Sequence, residues 1–471
     1  MVSDLEFDEK IENNAHEKSF WIEGYGCSAS FADMEMIAGQ LRQNGWKIAN
    51  NPNSSTLNVI VTCSVKDVTE HRMAHRIKAL SETGRPIIIA GCLPSADKKL
   101  VEKLNSKASL MSPNSINKTI EIANSTINGN RTINLENSKI EKVNLPRLKI
   151  NPIISIVEIA SGCLSECSFC QTKLAKGNLQ SYRIGEIIKQ IDYDLKTGVK
   201  EIWLTSTDNG CYGLDIGTDL VELLKKCEQI SGNFWIRLGM MNPMYIKNMI
   251  NGLAEQFQKS NKLFKFIHIP VQSGSEKVLK KMKRGHTAKT FREIVNQFRE
   301  KIPNMTIATD VISGFPTETD DDFNLTIKLL QETEPDVINS SKFSSRPGTM
   351  AYKFKTVDKN IVSERSEKLH KVIKEIVRKR NSQWINWEGQ VLIDEIENGK
   401  LKGRNQYHKS VIIEDFEYLE ENSSKTNSYH NNNNIFYDNR LEKGNKFLGR
   451  TMMVKVIGIS DFTLKGISID N

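Results

Sequence analysis

Between residues 151 and 380 the chain repeats one unit six times: a β-branched apolar run, then a stretch whose apolar residues recur every three to four positions. The runs are "IISIVEIA", "EIWLTS", "FWIRLGMM", "FKFIHIPV", "TIATDVISG" and "DVINSSKFS", and between them stand helical stretches such as "RIGEIIKQIDYDLKT" and "TAKTFREIVNQFREKI". Alternation on this scale implies parallel strands, each reached through a right-handed helical crossover. The pattern predicts a partial (β/α)6 barrel over 151–386 with its ligand site at the C-terminal ends of the strands.

The flanks read differently. Residues 18–126 place strands at "SFWIEGYG", "TLNVIVTC" and "RPIIIAGC" and helices from Asp33 to about Asn44 and from Thr69 to about Glu82, which predicts an N-terminal α/β domain. Residues 127–150 are polar and Asn-rich without a sustained period, and read as a linker with one short strand at "TINLEN". From 387 to 471 the short strands "GQVLIDEIENG", "KSVIIEDFE" and "RTMMVKVIGIS" are separated by turn residues and predict a small β-barrel. The polar insertion "EENSSKTNSYHNNNN" interrupts them and is expected to be a disordered loop. The fold class is therefore α/β multidomain. No run of about 18 apolar residues is present, so the expectation is a soluble, cytoplasmic protein with no membrane partner.

Three of the eight cysteines fall in "ASGCLSECSFCQTKLAKG", with Cys163, Cys167 and Cys170 within eight residues. A structural zinc site closes a tetrahedron with two paired half-sites. None follows: Cys211 and Cys227 are single, and His268, His286 and His370 are isolated. Disulfides are disfavoured too, because the chain opens on the charged "MVSDLEFDEKIENNAHEKS" rather than an apolar leader. A cubane iron–sulfur cluster fits better, since three thiolates leave one iron open to a small molecule. Cys27, Cys63 and Cys92 each stand at the C-terminal end of a predicted strand, where an open α/β sheet gathers its ligands, so three separated residues are expected to converge on a second cluster. Three buried structural thiols are the alternative. "GYGCSA" also matches a G-x-G-x-x-A dinucleotide fingerprint, but no acidic residue follows at the distance such a site needs.

C-x3-C-x2-C after the first strand of a partial barrel resembles the radical S-adenosylmethionine (SAM) enzymes. With the Cys27, Cys63 and Cys92 domain and the C-terminal β-domain, the chain resembles the methylthiotransferase family along nearly its whole length. The matching stretches include "YGCSASFADMEMIAGQL", "TCSVKDVTEHR", "IAGCLPSA", "HIPVQSGSEKVLKKMKRGHT", "DVISGFPTETDDDF" and "RPGTMA". "TSTDNGCYGLDIG" looks most like the archaeal and eukaryotic branch, which acts on threonylcarbamoyladenosine in transfer RNA (tRNA). Ser30 departs from the family pattern, which usually shows Asn after the first cysteine.

The resemblance implies two [4Fe-4S] clusters: one on Cys163, Cys167 and Cys170 that binds and cleaves SAM, and one on Cys27, Cys63 and Cys92 that carries or supplies sulfur. The implied reaction is methylthiolation at C2 of N6-threonylcarbamoyladenosine at position 37 of tRNA. It gives Phe169 a place against the SAM adenine, with simple loop packing as the alternative. Gly314 of "ISGFPTE" is expected to let backbone approach the cofactor, although a tight strand-to-helix turn would need it equally. Neither electron donor, sulfur source nor catalytic polar residue can be named from the sequence. Asp310 is left without a role, His268 and His286 are expected to be structural, and Cys211 and Cys227 to be ordinary core or loop thiols.

The formal charge is +8, and the excess is uneven. Residues 276–301 hold nine Lys or Arg against three acidic residues, and 359–387 hold eight against three. Residues 388–471, which the resemblance identifies as an RNA-gripping TRAM domain, hold eleven against thirteen. RNA contact is therefore expected from the two basic helical regions, including Lys374, Arg378, Lys379 and Arg380, and from a patch around "KLKGRNQYHK". Two other function classes remain: a methylthiotransferase acting on a ribosomal protein, and a non-catalytic iron–sulfur or zinc protein that only binds RNA.

Overall fold

A computed structural model describes residues 17–64, 67–416 and 446–469. The Asn-rich insertion at 420–434 lies outside the described residues. The first part of the chain builds a six-stranded parallel sheet in the spatial order Lys47–Ile48, Ser19–Gly24, Leu57–Thr62, Ile87–Gly91, Ser109–Met111, Ile133–Asn134. Every residue of Leu57–Thr62 and Ile87–Gly91 is buried, as expected of central strands covered on both faces. Helix Ser28–Gln43 starts earlier than the apolar period suggested. Small Ser28, Ala29 and Ser30 continue the helix back to Cys27, which stands at its N-cap in extended conformation.

The stretch read as a linker is packed. It supplies the edge strand Ile133–Asn134, then crosses helix Ser28–Gln43 as a strap with Lys142 and Val143 buried and Leu145, Leu148 and Ile150 against the core of the first sheet. A Cβ at Gly39 would lie 2.4 Å from the Pro146 carbonyl oxygen, so only glycine lets the strap approach this closely.

All six strands expected in the second part form: Ile154–Glu158, Glu201–Thr205, Trp235–Leu238, Phe266–His268, Thr306–Ser313 and Val337–Lys342. They pair in parallel as two three-stranded sheets, and a parallel bridge between Ile236 and Leu263 joins the halves into a partial barrel in sequential order. The helices outside are amphipathic. Ala288–Lys301 buries Phe291, Ile294, Val295 and Phe298 at three- and four-residue spacing, and Thr287 caps it by accepting from the Thr290 amide at 3.0 Å. Truncating Phe298 to Ala would cost about 3–5 kcal/mol.

Glu388–Glu397, Lys400–Asn405, Ser410–Ile413, Thr451–Ile459 and Leu464–Ser468 close into a five-stranded barrel filled by Val391, Ile393, Leu401, Val411, Val454 and Val456. Lys400–Asn405 and Leu464–Ser468 were not apparent in the sequence. The first of these is basic and carries Gly403, where a Cβ would meet the Leu392 carbonyl oxygen at 2.3 Å. The barrel docks on the core through His408, which contacts the rings of Phe264 and Phe266 at 4.8 and 4.7 Å, and through Lys409, which pairs with Asp336 at 3.0 Å. Among the described residues no helix is long and apolar enough to cross a membrane.

Candidate functional site

The loop bearing Cys163, Cys167 and Cys170 leaves the C-terminal end of the first core strand, at the mouth of the partial barrel. It starts at Gly162, with φ of +70° and a would-be Cβ only 2.0 Å from the Asn178 carbonyl oxygen. Cys163 Sγ accepts from the Ser165 amide at 3.2 Å, and Cys167 Sγ from Arg284 Nη1 at 3.3 Å. Arg284 is itself fixed by Nη2 donating to the Pro270 carbonyl at 2.9 Å. Ser168 ties the loop to helix Glu276–Met282, its amide donating to Met282 O at 3.0 Å and its hydroxyl to Lys281 O at 2.9 Å. Phe169 is half-buried, packed edge-on to Phe315 at 6.4 Å.

Cys211 is buried in the core, as expected, but it is not isolated there. Its Sγ, the Cys163 Sγ and a carboxylate oxygen of Asp208 all lie within 4.8 Å of one another. The Cys211 thiol donates to the Asp208 carbonyl at 3.2 Å, and its nearness to Cys163 holds the Cys163 pKa below the usual thiol value. Asp208 is clamped by the amides of Gly210 and Asn242, each at 3.0 Å, and burial pushes its carboxyl up. Asn242 also contacts His286 Nδ1 at 3.2 Å. Burial lowers His286 to about 4, so the ring is neutral and structural, as expected. Sequence spacing could not reveal this shell, because Asp208, Cys211 and Asn242 come from loops after two other strands. Cys227 is a core thiol on helix Leu220–Glu228.

The second triplet is built by strand register. Gly24 pairs with Val61, and Thr62 with Gly91, so Cys63 and Cys92 leave neighbouring strands at the same level. Cys27 follows at the start of the adjoining helix. Gly26 has φ of +116°, and a Cβ there would lie 2.3 Å from the Cβ of Cys63 and 2.7 Å from its sulfur. The second glycine of "GYG" thus makes room for a cysteine rather than a pyrophosphate, while a Cβ at the first, Gly24, would meet the Met34 sulfur at 2.7 Å. Cys27 is exposed, and Cys63 and Cys92 are buried. Cys27 Sγ lies 3.6 Å from Ser30 Oγ, so the one departure from the family pattern touches a cysteine directly. The Cys63 thiol, donating to it, holds Cys27 well below the usual thiol value and Lys176 adds to the effect, whereas burial pushes Cys92 up to about 12.

Between the two triplets lies a quartet of buried charges. Lys142 Nζ stands 2.8 Å from Asp33 Oδ1 and 3.0 Å from Glu158 Oε2, while Lys176 Nζ stands 2.9 Å from Glu158 Oε1. No side chain of the four is more than 2 % exposed. Burial alone would raise the Glu158 pKa, but the two ammonium groups outweigh it and lower the carboxyl to about 2.

Other expected residues fall as follows. Gly314, with φ of +74°, would place a Cβ 2.5 Å from Val362 Cγ2, so packing of helix Lys359–Ser382 and the turn account for the glycine without a cofactor. His268 Nε2 meets Asp310 Oδ2 at 3.0 Å, and Asp310 Oδ1 accepts from Asn339 at 2.9 Å, a polar row across three adjacent strands. The basic surface at 359–387 is smaller than its composition implied. Lys374 pairs with Asp461 at 2.9 Å, Lys379 pairs with Glu334, and Arg380 is bound to buried Asp336 at 3.2 Å, because these three side chains find carboxylates on neighbouring elements. Arg378 is exposed on the same helix, and Lys280, Lys281 and Lys283 are exposed beside the Cys167 loop.

Residues 157–330 match the family model described as Radical SAM superfamily, and residues 19–112 that described as Uncharacterized protein family UPF0004. The core with its triple-cysteine loop thus defines a radical SAM protein. The chain is 38% identical over 397 residues to the probable threonylcarbamoyladenosine tRNA methylthiotransferase of Pyrococcus abyssi, covering 83% of this chain and 93% of that protein. It is 36% identical over 406 residues to the threonylcarbamoyladenosine tRNA methylthiotransferase of Homo sapiens, covering 84% and 69%. The chain belongs to the threonylcarbamoyladenosine tRNA methylthiotransferase family. Among solved structures, the radical S-adenosylmethionine methyltransferase TsrM of Kitasatospora setae aligns with a TM-score of 0.53 at 13% identity, over 71% of this chain and 75% of that one, a likeness of fold.

Proposed function

We propose that the protein is a radical SAM methylthiotransferase acting at C2 of N6-threonylcarbamoyladenosine at position 37 of tRNA. The observation that carries this is the pair of cysteine triplets, one in the barrel mouth and one on the rim of the first sheet, joined by the buried quartet, in a chain of this family. The donor sets fit [4Fe-4S] clusters: each offers three thiols and a nearby cation, Arg284 for one and Lys176 for the other. Cys163, Cys167 and Cys170 would hold a cluster that, when bound, would supply the electron for reductive cleavage of SAM.

The chain's own residues position and shield. Ser165, Ser168 and Arg284 hold the cysteine loop on its helix, and Phe169 offers its remaining free surface to the SAM adenine. Cys27, Cys63 and Cys92 hold the second cluster, the sulfur-bearing one. The domains run 18–126, 151–386 and 387–471, with 127–150 giving the first sheet its edge strand and then the strap between the first two. The closed barrel is a TRAM domain, and Lys280, Lys281 and Lys283 take tRNA phosphates at the mouth of the site. The location is cytoplasmic. A ribosomal-protein substrate is not favoured, because the family relatives are named for a tRNA nucleoside.

The test is mass spectrometry of tRNA nucleosides from a strain lacking the gene. Loss of 2-methylthio-N6-threonylcarbamoyladenosine, restored by wild type and not by either triple Cys→Ala variant, is expected. An unchanged nucleoside profile in the deletion strain would overturn the proposal.

A further inference from the structure

The reaction as proposed leaves the buried quartet without a role, yet its geometry ties it to the second triplet. Lys176 ends the short helix Thr172–Lys176, which leaves the radical loop just after Cys170. That helix packs against helix Cys92–Ala96, whose first residue is the third cysteine of the other triplet. Asp33, at the far end of the quartet, lies on the helix capped by Cys27. The only carboxylate that Lys176 contacts among the described ion pairs is Glu158, which it shares with Lys142. An ammonium buried in this way acts through a weakly screening medium, so its field reaches further than that of a surface lysine.

We propose that Lys176 is a positioning residue for the auxiliary cluster: it is the fixed cation that sets the reduction potential of the cluster held by Cys27, Cys63 and Cys92, with Glu158 limiting the effect. This rests on the reading that those cysteines hold a cluster. On reduction the cluster gains one electron from a low-potential reductant and no bond is made or broken. The product carries one more negative charge, and a nearby cation favours it.

The experiment uses the full chain with Cys163, Cys167 and Cys170 replaced by Ala, so that only the auxiliary cluster is present. Iron and sulfide are measured first. About four of each per chain is expected of a cubane cluster, and their absence overturns the cluster assignment itself, and with it this proposal. Redox titration followed by electron paramagnetic resonance then compares Lys176→Met, Lys176→Arg and Glu158→Gln. Lys176→Met is expected to disfavour reduction about tenfold, a fall of about 59 mV for a one-electron couple. Lys176→Arg should keep the parent midpoint, and Glu158→Gln should raise it. Midpoints unchanged in both Lys176→Met and Glu158→Gln, with iron content intact, overturn the proposal. If Lys176→Met assembles no cluster, Glu158→Gln decides: a raised midpoint supports the proposal and an unchanged one overturns it. If neither loads iron, Lys176→Arg decides, with loading at the parent midpoint in support and failure to load pointing to a purely structural role.

Discussion

The two cysteine triplets reach similar donor sets by opposite routes. Cys163, Cys167 and Cys170 sit in one loop, and a segment of eight residues brings them together whatever the distant chain does. Cys27, Cys63 and Cys92 are instead placed by three strands in register, Gly24 with Val61 and Thr62 with Gly91. A local site is vulnerable at its ligands and at the shell that holds the loop. A convergent site is vulnerable wherever the sheet is, including at residues that never touch a metal.

The sharpest break between them is chemical. Replacing Cys163, Cys167 and Cys170 with Ala should abolish SAM cleavage, while replacing Cys27, Cys63 and Cys92 should preserve cleavage and stop methylthiolation; assays of 5′-deoxyadenosine and modified nucleoside separate the two. Equal loss of cleavage in both variants would remove the division of labour. Next in size is Gly26→Ala. Its methyl would meet Cys63 at 2.3 Å on a left-handed backbone, so the variant should lose the auxiliary cluster and keep the radical one. Iron should fall from about eight to about four per chain. Full iron content would show that the rim relaxes around the added carbon.

RNA binding sharpens the comparison further, since the exposed lysines lie beside the local triplet. Replacing Lys280, Lys281 and Lys283 with Ala should flatten the log–log salt dependence of tRNA binding by about 0.7–0.9 for each phosphate that is no longer neutralised. Replacing Lys374 and Lys379, already paired, should change it little. The reverse ranking would move the RNA surface to the long helix.

The smallest expected effect concerns pH. Glu35, on the helix capped by Cys27, is 1 % exposed, with one oxygen accepting from the Ile150 amide at 3.0 Å, and burial raises it from 4.5 to about 7. The folded state therefore binds this proton more tightly than the unfolded one. Its stabilisation is complete below about pH 4.5 and is lost as pH rises through about 7, a span of about 3 kcal/mol. Glu35→Gln should thus melt above wild type at pH 8, with the gap closing towards pH 5. A constant gap would mean that Glu35 is already ionised in the fold.

Much of this architecture was legible because periodicity is local. The six core strands and the placement of Cys27, Cys63 and Cys92 at strand ends follow from apolar runs and the turns that close them. The quartet was not legible: Asp33, Lys142, Glu158 and Lys176 are ordinary charges in sequence, and they come together only where the strap crosses helix Ser28–Gln43 and the first core strand and the helix after the cysteine loop pack beside it. The same holds for Cys211, whose neighbour Cys163 lies one core strand earlier in the chain. Counting basic residues misled for a related reason, since composition cannot see that Lys379 and Arg380 already face Glu334 and Asp336.

The quartet also has a consequence for how the chain comes into being. Asp33 is synthesised 109 residues before Lys142, and Glu158 and Lys176 follow later still. Until they arrive, the nascent first sheet carries a carboxylate that cannot be buried alone without a penalty of several kcal/mol. The Asp33 carboxylate gains its counter-charge when the strap brings Lys142 to it, and Glu158 joins the cluster with the core's first strand. A gene split between the sheet and the core would yield two pieces, each with half of a neutralised cluster facing solvent, that should become stable only when they are made together.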